Sequence, residues 1–165
     1  MLPLRGAAPA QWAEESTRVL RSAGAGLIVL AGFLSVLPPS FVRQWEGRII
    51  NTHPALLPKF GGKGMYGDRV HAAVLAAGET ESGATVHLVT EELDAGPVLA
   101  QQRVPVEPGD TPESLRRRVQ TAERVALYSV LERFAEGQLP LPYRGAPGRP
   151  PSRGTDRKSG PGASD

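Results

Sequence analysis

Apolar positions along the chain change period several times, and each change marks an element. Trp12, Ser16, Val19, Leu20 and Ala23 fall on one helical face, and Gly24 supplies a stop. Leu27-Ile28-Val29-Leu30 is an unbroken aliphatic run, which suits a parallel strand buried on both faces. Pro38-Pro39 opens a short helix, since proline is tolerated in a first turn. Arg48-Ile49-Ile50 reads as a second strand that ends at Asn51. The segment from Asp68 to Ala77 predicts a helix closed by Gly78. Ala84 to Val89 and Val98 to Val104 predict two further strands, joined by the polar turn from Glu91 to Pro97. Thr111 caps a long helix with Pro112 at its first position. Leu115, Val119, Ala122, Ala126 and Phe134 give that helix a buried stripe, and Gly137 ends it.

This alternation predicts an α/β fold: a mainly parallel, twisted sheet with flanking helices, Rossmann-type in its layering. The chain opens on a helix, and only four strands are legible. Nothing before Trp12 supplies the first strand and glycine-rich turn that begin a doubly wound sheet. Residues 1–139 form the expected folded domain. Residues 140–165 hold six prolines and five glycines and read as a disordered tail, too poor in apolar surface to offset its ordering entropy.

Charge changes the picture only once it is located. The tail carries five basic and two acidic residues, net +3, against +2 for the whole chain, which leaves the body at −1. The basicity therefore belongs to the tail, and aromatics are only 5% of residues, so a nucleic-acid partner is not expected. No cysteine is present, which removes disulfides, thiolate metal sites and a cysteine nucleophile. The start does not read as a signal peptide, and the longest apolar run, Leu27 to Ala31, is too short to cross a bilayer. A cytoplasmic protein without a membrane partner is the expectation.

Polar groups at the ends of the strands are the candidates for chemistry. Asn51 and His53 follow the strand ending at Ile50, and Asp94 sits in the turn before Ala95-Gly96. A histidine can be protonated near neutral pH, and a neighbouring carboxylate favours that charged form. An imidazolium and an amide NH₂ suit the oxyanion of a tetrahedral intermediate, and the carboxylate can hold a proton-relaying water. This is acyl-transfer chemistry without a covalent enzyme intermediate, because no serine or cysteine stands in a nucleophile-elbow context. Each residue also has a plain reading. Asn51 and Asp94 are ordinary turn residues, and His53 is an ordinary loop histidine. His87, inside an apolar strand, reads as a hydrogen-bonded core residue, and His71 as a solvated helix residue. Gly61-Gly62-Lys63-Gly64 lacks the spacing of a phosphate loop. A metal site of His53, His87 and Asp94 has poor ligand spacing, and no metal is expected.

The order of short motifs is more specific than any one of them. Leu30-Ala31-Gly32-Phe33 is followed by Asn51-Thr52-His53-Pro54-Ala55-Leu56-Leu57-Pro58 and Phe60-Gly61-Gly62-Lys63-Gly64. Ser82-Gly83-Ala84-Thr85-Val86-His87, Leu93-Asp94-Ala95-Gly96-Pro97 and Val119-Gln120-Thr121-Ala122-Glu123 complete the series. From Trp12 to Leu139 the chain resembles the folate-dependent formyltransferases that act on glycinamide ribonucleotide in purine synthesis. The Asn51-Thr52-His53-Pro54 form and the segment from Val119 to Glu123 favour this group over methionyl-tRNA formyltransferases and formyltetrahydrofolate deformylases.

The resemblance implies an enzyme that moves a formyl group from 10-formyltetrahydrofolate to the amine of glycinamide ribonucleotide. It implies His53 as the active-site acid, Asn51 as the oxyanion partner and Asp94 as the carboxylate that favours the charged imidazole. Leu34, Ser35, Val36 and Leu37 would hold the folate pterin by their backbone, with Asn51 beside the cofactor. Thr90, Glu91, Glu92, Leu93 and Asp94 would close over it. Gln120, Thr121, Ala122 and Glu123 would contact the ribonucleotide, Glu123 at its ribose hydroxyls. The family also has a strand and a glycine-serine-rich phosphate loop before the Trp12 helix, which this chain lacks. A truncated or misassigned start, or a split gene, is the corresponding expectation, with an amino-terminal half or a second copy as partner and an exposed flank on the Leu27 to Leu30 strand. A folate-binding fragment without turnover, and a deformylase, are the alternatives.

Overall fold

The computed structural model describes residues 8–143; the tail reading for positions 144–165 lies outside the described residues. Helix α1 (Pro9–Ser22) starts on a proline and ends before Gly24, whose φ of 70° provides the left-handed step. Strand β1 (Ile28–Leu30) and helix α2 (Pro39–Gln44) follow, then strand β2 (Ile49–His53) and helix α3 (Asp68–Ala76). Strands β3 (Glu81–Leu88) and β4 (Val98–Pro105) and the long helix α4 (Pro112–Ala135) complete the order. The Thr111 hydroxyl accepts from the Ser114 amide while the Ser114 hydroxyl accepts from the Thr111 amide, a reciprocal cap at the predicted helix start.

The α/β layering stands, and the sheet is an open, mixed one in the order β1-β2-β3-β4. Only β1 and β2 are parallel; β2–β3 and β3–β4 are antiparallel, which corrects the mainly parallel expectation. The reason is connection length. β3 and β4 are joined by nine residues with no helix among them, too short for a parallel crossover.

Pleating divides the sheet into two chemical faces. Ile50, Val86 and Leu88 pack on Ala126 and Val130 of α4. On the opposite face, Ile49 packs on Phe41, Val42 and Trp45 of α2 and Ala13 of α1. The Trp45 indole N–H donates to the Thr17 hydroxyl (3.0 Å) and ties α2 to α1. That contact buries Ala13 and Thr17 beside Ser16. Of the predicted stripe Ser16 is buried and Trp12 and Leu20 are half-buried against the same cluster, while Val19 and Ala23 are exposed. β1 is an edge strand among the described residues, and Val29 is 39% exposed rather than buried on both sides. At the other end, packing runs past Leu139, for the Tyr143 amide donates to the Gly47 carbonyl (2.8 Å).

Candidate active site

β2 does not end at Asn51 but runs through His53, which corrects the expected loop position of both residues. The strand extends because β3 pairs with it across four residues, Asn51 opposite His87 and His53 opposite Thr85. Those four side chains therefore share one face of the sheet. Asp94 reaches the same place from the turn after β3. Its own φ is 54°, an uncommon value that turns the carboxylate back over the sheet.

The result is a carboxylate between two imidazoles. Asp94 Oδ2 lies 3.6 Å from His53 Nδ1, and Oδ1 lies 3.7 Å from His87 Nε2. Neither separation is that of a direct hydrogen bond. The three side chains are 9% exposed or less. The Gly62 amide donates to Asp94 Oδ2 (2.8 Å). The glycine-rich segment that failed as a phosphate loop is thus an anchor for the carboxylate. A side chain at Gly61 would lie 2.6 Å from Leu57 Cδ2 and 3.3 Å from Asp94 Cβ, so glycine lets the two segments meet.

The tautomers follow from the fixed partners. His87 Nδ1 is 2.9 Å from the Leu88 carbonyl and must carry the proton there. Nε2 is then an acceptor, and the Asn51 amide donates to it at 3.2 Å. One Asn51 N–H is engaged in this way, and the other has no partner among the described residues. His53 Nε2 is 2.7 Å from the Phe60 carbonyl and donates to it, so the second ring proton of a charged His53 sits at Nδ1, facing Asp94. His87 is a core histidine as expected, and it also completes the site. Its placement opposite Asn51 could be read only from the strand register.

Burial, partly offset by the Leu88 carbonyl and Asp94, lowers the pKa of His87. His71 is 2% exposed, not solvated, because α3 turns Val70, His71 and Val74 inward. Burial lowers its pKa too, with Asp68 opposing and Arg116 and His53 reinforcing the shift. Groups that protonate less readily folded than unfolded stabilise the fold above the unfolded value of about 6.5. That stabilisation is lost as pH falls through 6.5 toward the folded values. Urea midpoints are therefore expected to be lower at about pH 5 than at about pH 8, and His71→Leu should flatten the profile. An unchanged slope in that variant would contradict the assignment.

The other predicted residues divide. Leu37 is buried against Phe41, while Ser35, Leu34 (72%) and Val36 (75%) are exposed. In the second loop Thr90 donates to the Glu92 carbonyl (2.9 Å), Glu91 pairs with Arg43 (2.8 Å), and Leu93 is 45% exposed. Leu37 is buried in the cluster against which Val89, just before the second loop, is packed. Gln120 and Thr121 are exposed on α4, while Ala122 is buried in the core and has no side-chain surface to offer a ligand. Glu123 accepts from the Thr52 hydroxyl, on the opposite face of β2 from Asn51 and His53.

A carboxylate, two histidines and an amide thus meet over one face of this mixed sheet. Residues 5–131 match the family model described as formyl transferase, and the chain belongs to that family. It is 44% identical over 133 residues to the chloroplastic phosphoribosylglycinamide formyltransferase of Arabidopsis thaliana, covering 81% of this chain and 46% of that one. It is 44% identical to phosphoribosylglycinamide formyltransferase of Escherichia coli (strain K12), covering 70% of this chain and 52% of that one. The solved phosphoribosylglycinamide formyltransferase of Coxiella burnetii superposes with a TM-score of 0.75 at 41% identity, covering 84% of this chain and 64% of that one. The chain thus spans about half the length of these curated relatives.

Proposed function

We propose that this chain carries the formyl-transfer centre of a phosphoribosylglycinamide formyltransferase. The reaction moves a formyl group from 10-formyltetrahydrofolate to the amine of glycinamide ribonucleotide in purine synthesis. The observation that carries this reading is the Asp94 carboxylate seated between His53 and His87 beside the second Asn51 N–H. Leu34, Val36 and Leu93 are exposed apolar side chains in the two loops proposed to hold the pterin, and an apolar ring system would cover such groups.

When bound, 10-formyltetrahydrofolate supplies the formyl carbon that the ribonucleotide amine attacks. The second Asn51 N–H is the donor for charge developing on the formyl oxygen. His53 holds its transferable proton at Nδ1, because Nε2 is committed to Phe60. Asp94 would accept the proton shed by the attacking amine, directly or through one water. The formyl carbon–N10 bond would then break as N10 takes the His53 proton, directly or through water, releasing tetrahydrofolate, and Asp94 would return its proton to His53. Neutral His87 fixes which way the Asn51 amide faces. Gln120, Thr121 and Glu123 are proposed contacts to the ribonucleotide, which requires the Glu123 carboxylate to leave Thr52. Among the described residues no helix is long and apolar enough to cross a membrane. A cytoplasmic setting is part of this proposal.

The test is a formyl-transfer assay on the purified chain with both substrates, alone and with an amino-terminal half from a longer relative. Transfer in either mixture supports the reading. Formate release without dependence on the ribonucleotide would assign a deformylase, and tight folate binding with neither product would assign a binding module.

A further inference from the structure

Three residues stand in a row across the sheet on the face of the site: His53 on β2, Thr85 opposite it on β3, and Gln101 opposite Thr85 on β4. Thr85 is fully buried, and its hydroxyl has no spare capacity. It donates to the Ala55 carbonyl (2.6 Å) and accepts from the Leu57 amide (3.1 Å) and from Gln101 Nε2 (3.0 Å). That is one donor and two lone pairs, all used. The other Gln101 amide hydrogen goes to the Leu57 carbonyl (2.9 Å). Both backbone polar groups of Leu57 are therefore held by this pair.

What the pair holds is the segment that leaves His53 and returns to it. The chain passes from His53 through Ala55 and Leu57 to Phe60, whose carbonyl accepts from His53 Nε2. Phe60 has a φ of 56°, which a non-glycine residue rarely adopts, so its carbonyl direction is imposed by the surroundings rather than by local preference. The nearest fixed points upstream are the Thr85 and Gln101 contacts.

We infer that Thr85 and Gln101 are positioning residues that hold the 54–60 segment so that the Phe60 carbonyl keeps the His53 proton on Nε2 and leaves Nδ1 to face Asp94. The inference rests on the proposed site, but it concerns the ring of His53 and can be read without turnover. Valine at position 85 keeps the shape and strand preference of threonine and removes only the hydroxyl. Three hydrogen bonds are lost, and the loop carbonyl is free to turn.

The experiment is long-range ¹H–¹⁵N NMR of histidine-labelled full chain, followed by steady-state formyl transfer wherever the parent is active. In the parent, His53 should show a single neutral tautomer with the proton on Nε2. In Thr85→Val its two nitrogen signals should move toward each other as the tautomers mix, and Thr85→Ser should restore the parent pattern. Where the parent is active, kcat should fall roughly 10²-fold with KM little changed, as for a displaced reacting group. A merely structural role would lower the melting temperature and leave the His53 signals in place; that result in a folded Thr85→Val protein overturns the inference. Should Thr85→Val not fold, Gln101→Met decides the matter, because it removes only the two Gln101 donations. Parent-like His53 signals in that variant overturn the inference, and a shift in the same direction supports it. A parent chain that transfers no formyl group, alone or with the amino-terminal half of a longer relative, while the variants still shift the His53 signals would overturn the proposed function and leave this inference standing.

Discussion

His53→Ala is expected to lower formyl transfer by ~10²–10³-fold, the usual effect of removing one preorganised group that meets developing charge. The variant removes the ring between Asp94 and the Phe60 carbonyl. Asp94 then keeps the Gly62 amide and neutral His87 but has no cation beside it. Asp94→Asn should fall into the same range by the opposite route. The shape and the Gly62 contact survive, while the carboxylate that takes the amine proton is gone. Because the two residues act as a unit, the double variant should be little worse than either single one. Single-turnover transfer to glycinamide ribonucleotide measures all three. A His53→Ala rate within about a factor of two of the parent would remove His53 from the chemistry, since loss of a working donor is never that mild.

Gly96→Ala is expected to be the most damaging small substitution for the fold. A Cβ at this position would sit 1.9 Å from the Leu88 carbonyl oxygen and 2.8 Å from its carbon. Neither atom belongs to a side chain that can swing away, and Leu88 is further fixed by its amide bond to the Pro97 carbonyl (2.9 Å). Relief requires the turn carrying Asp94 to lift off β3. Overpacking against movable side chains costs about 1–3 kcal/mol, so an unyielding backbone contact should cost about 3 kcal/mol or more. The lifted turn also moves Asp94 away from both histidines, and the folded fraction should therefore lose activity as well. Urea unfolding followed by far-UV circular dichroism checks the first effect, and transfer per folded molecule checks the second. A parent-like midpoint would mean that the Gly96–Leu88 approach is not as close as described.

The parts of this fold that were legible in the sequence are those governed by local chemistry. Thr111-Pro112 at a helix start and Gly24, Gly78 and Gly137 at helix ends mark boundaries because caps need particular residues. Asn51, His53 and Asp94 stand out because few residue types do acid–base work. Strand direction was not legible, since a two-residue period gives the face and says nothing of the partner. The buried face of α1 was only partly legible for a similar reason. Small residues such as Ala13 and Thr17 become core only because Trp45 and Phe41 come to meet them. His71 was assigned by polarity alone, and its depth depends on α3 finding the rest of the chain, whereas the apolar run around His87 gave its burial away. The role of Gly62 could not be anticipated, because its amide acts on a residue far along the chain.

Strand β2 serves two masters by turns. Asn51 and His53 look toward Asp94, whereas Thr52 between them looks the other way and holds Glu123 of α4. The interval of two between the asparagine and the histidine is therefore a parity requirement. Deleting or inserting one residue there would exchange the faces, sending the histidine into the helix layer and leaving the carboxylate opposite a hydroxyl. Length variation among sequences built on this plan should accordingly gather in the segments before β2 and after Phe60, and pass over the stretch between Asn51 and His53.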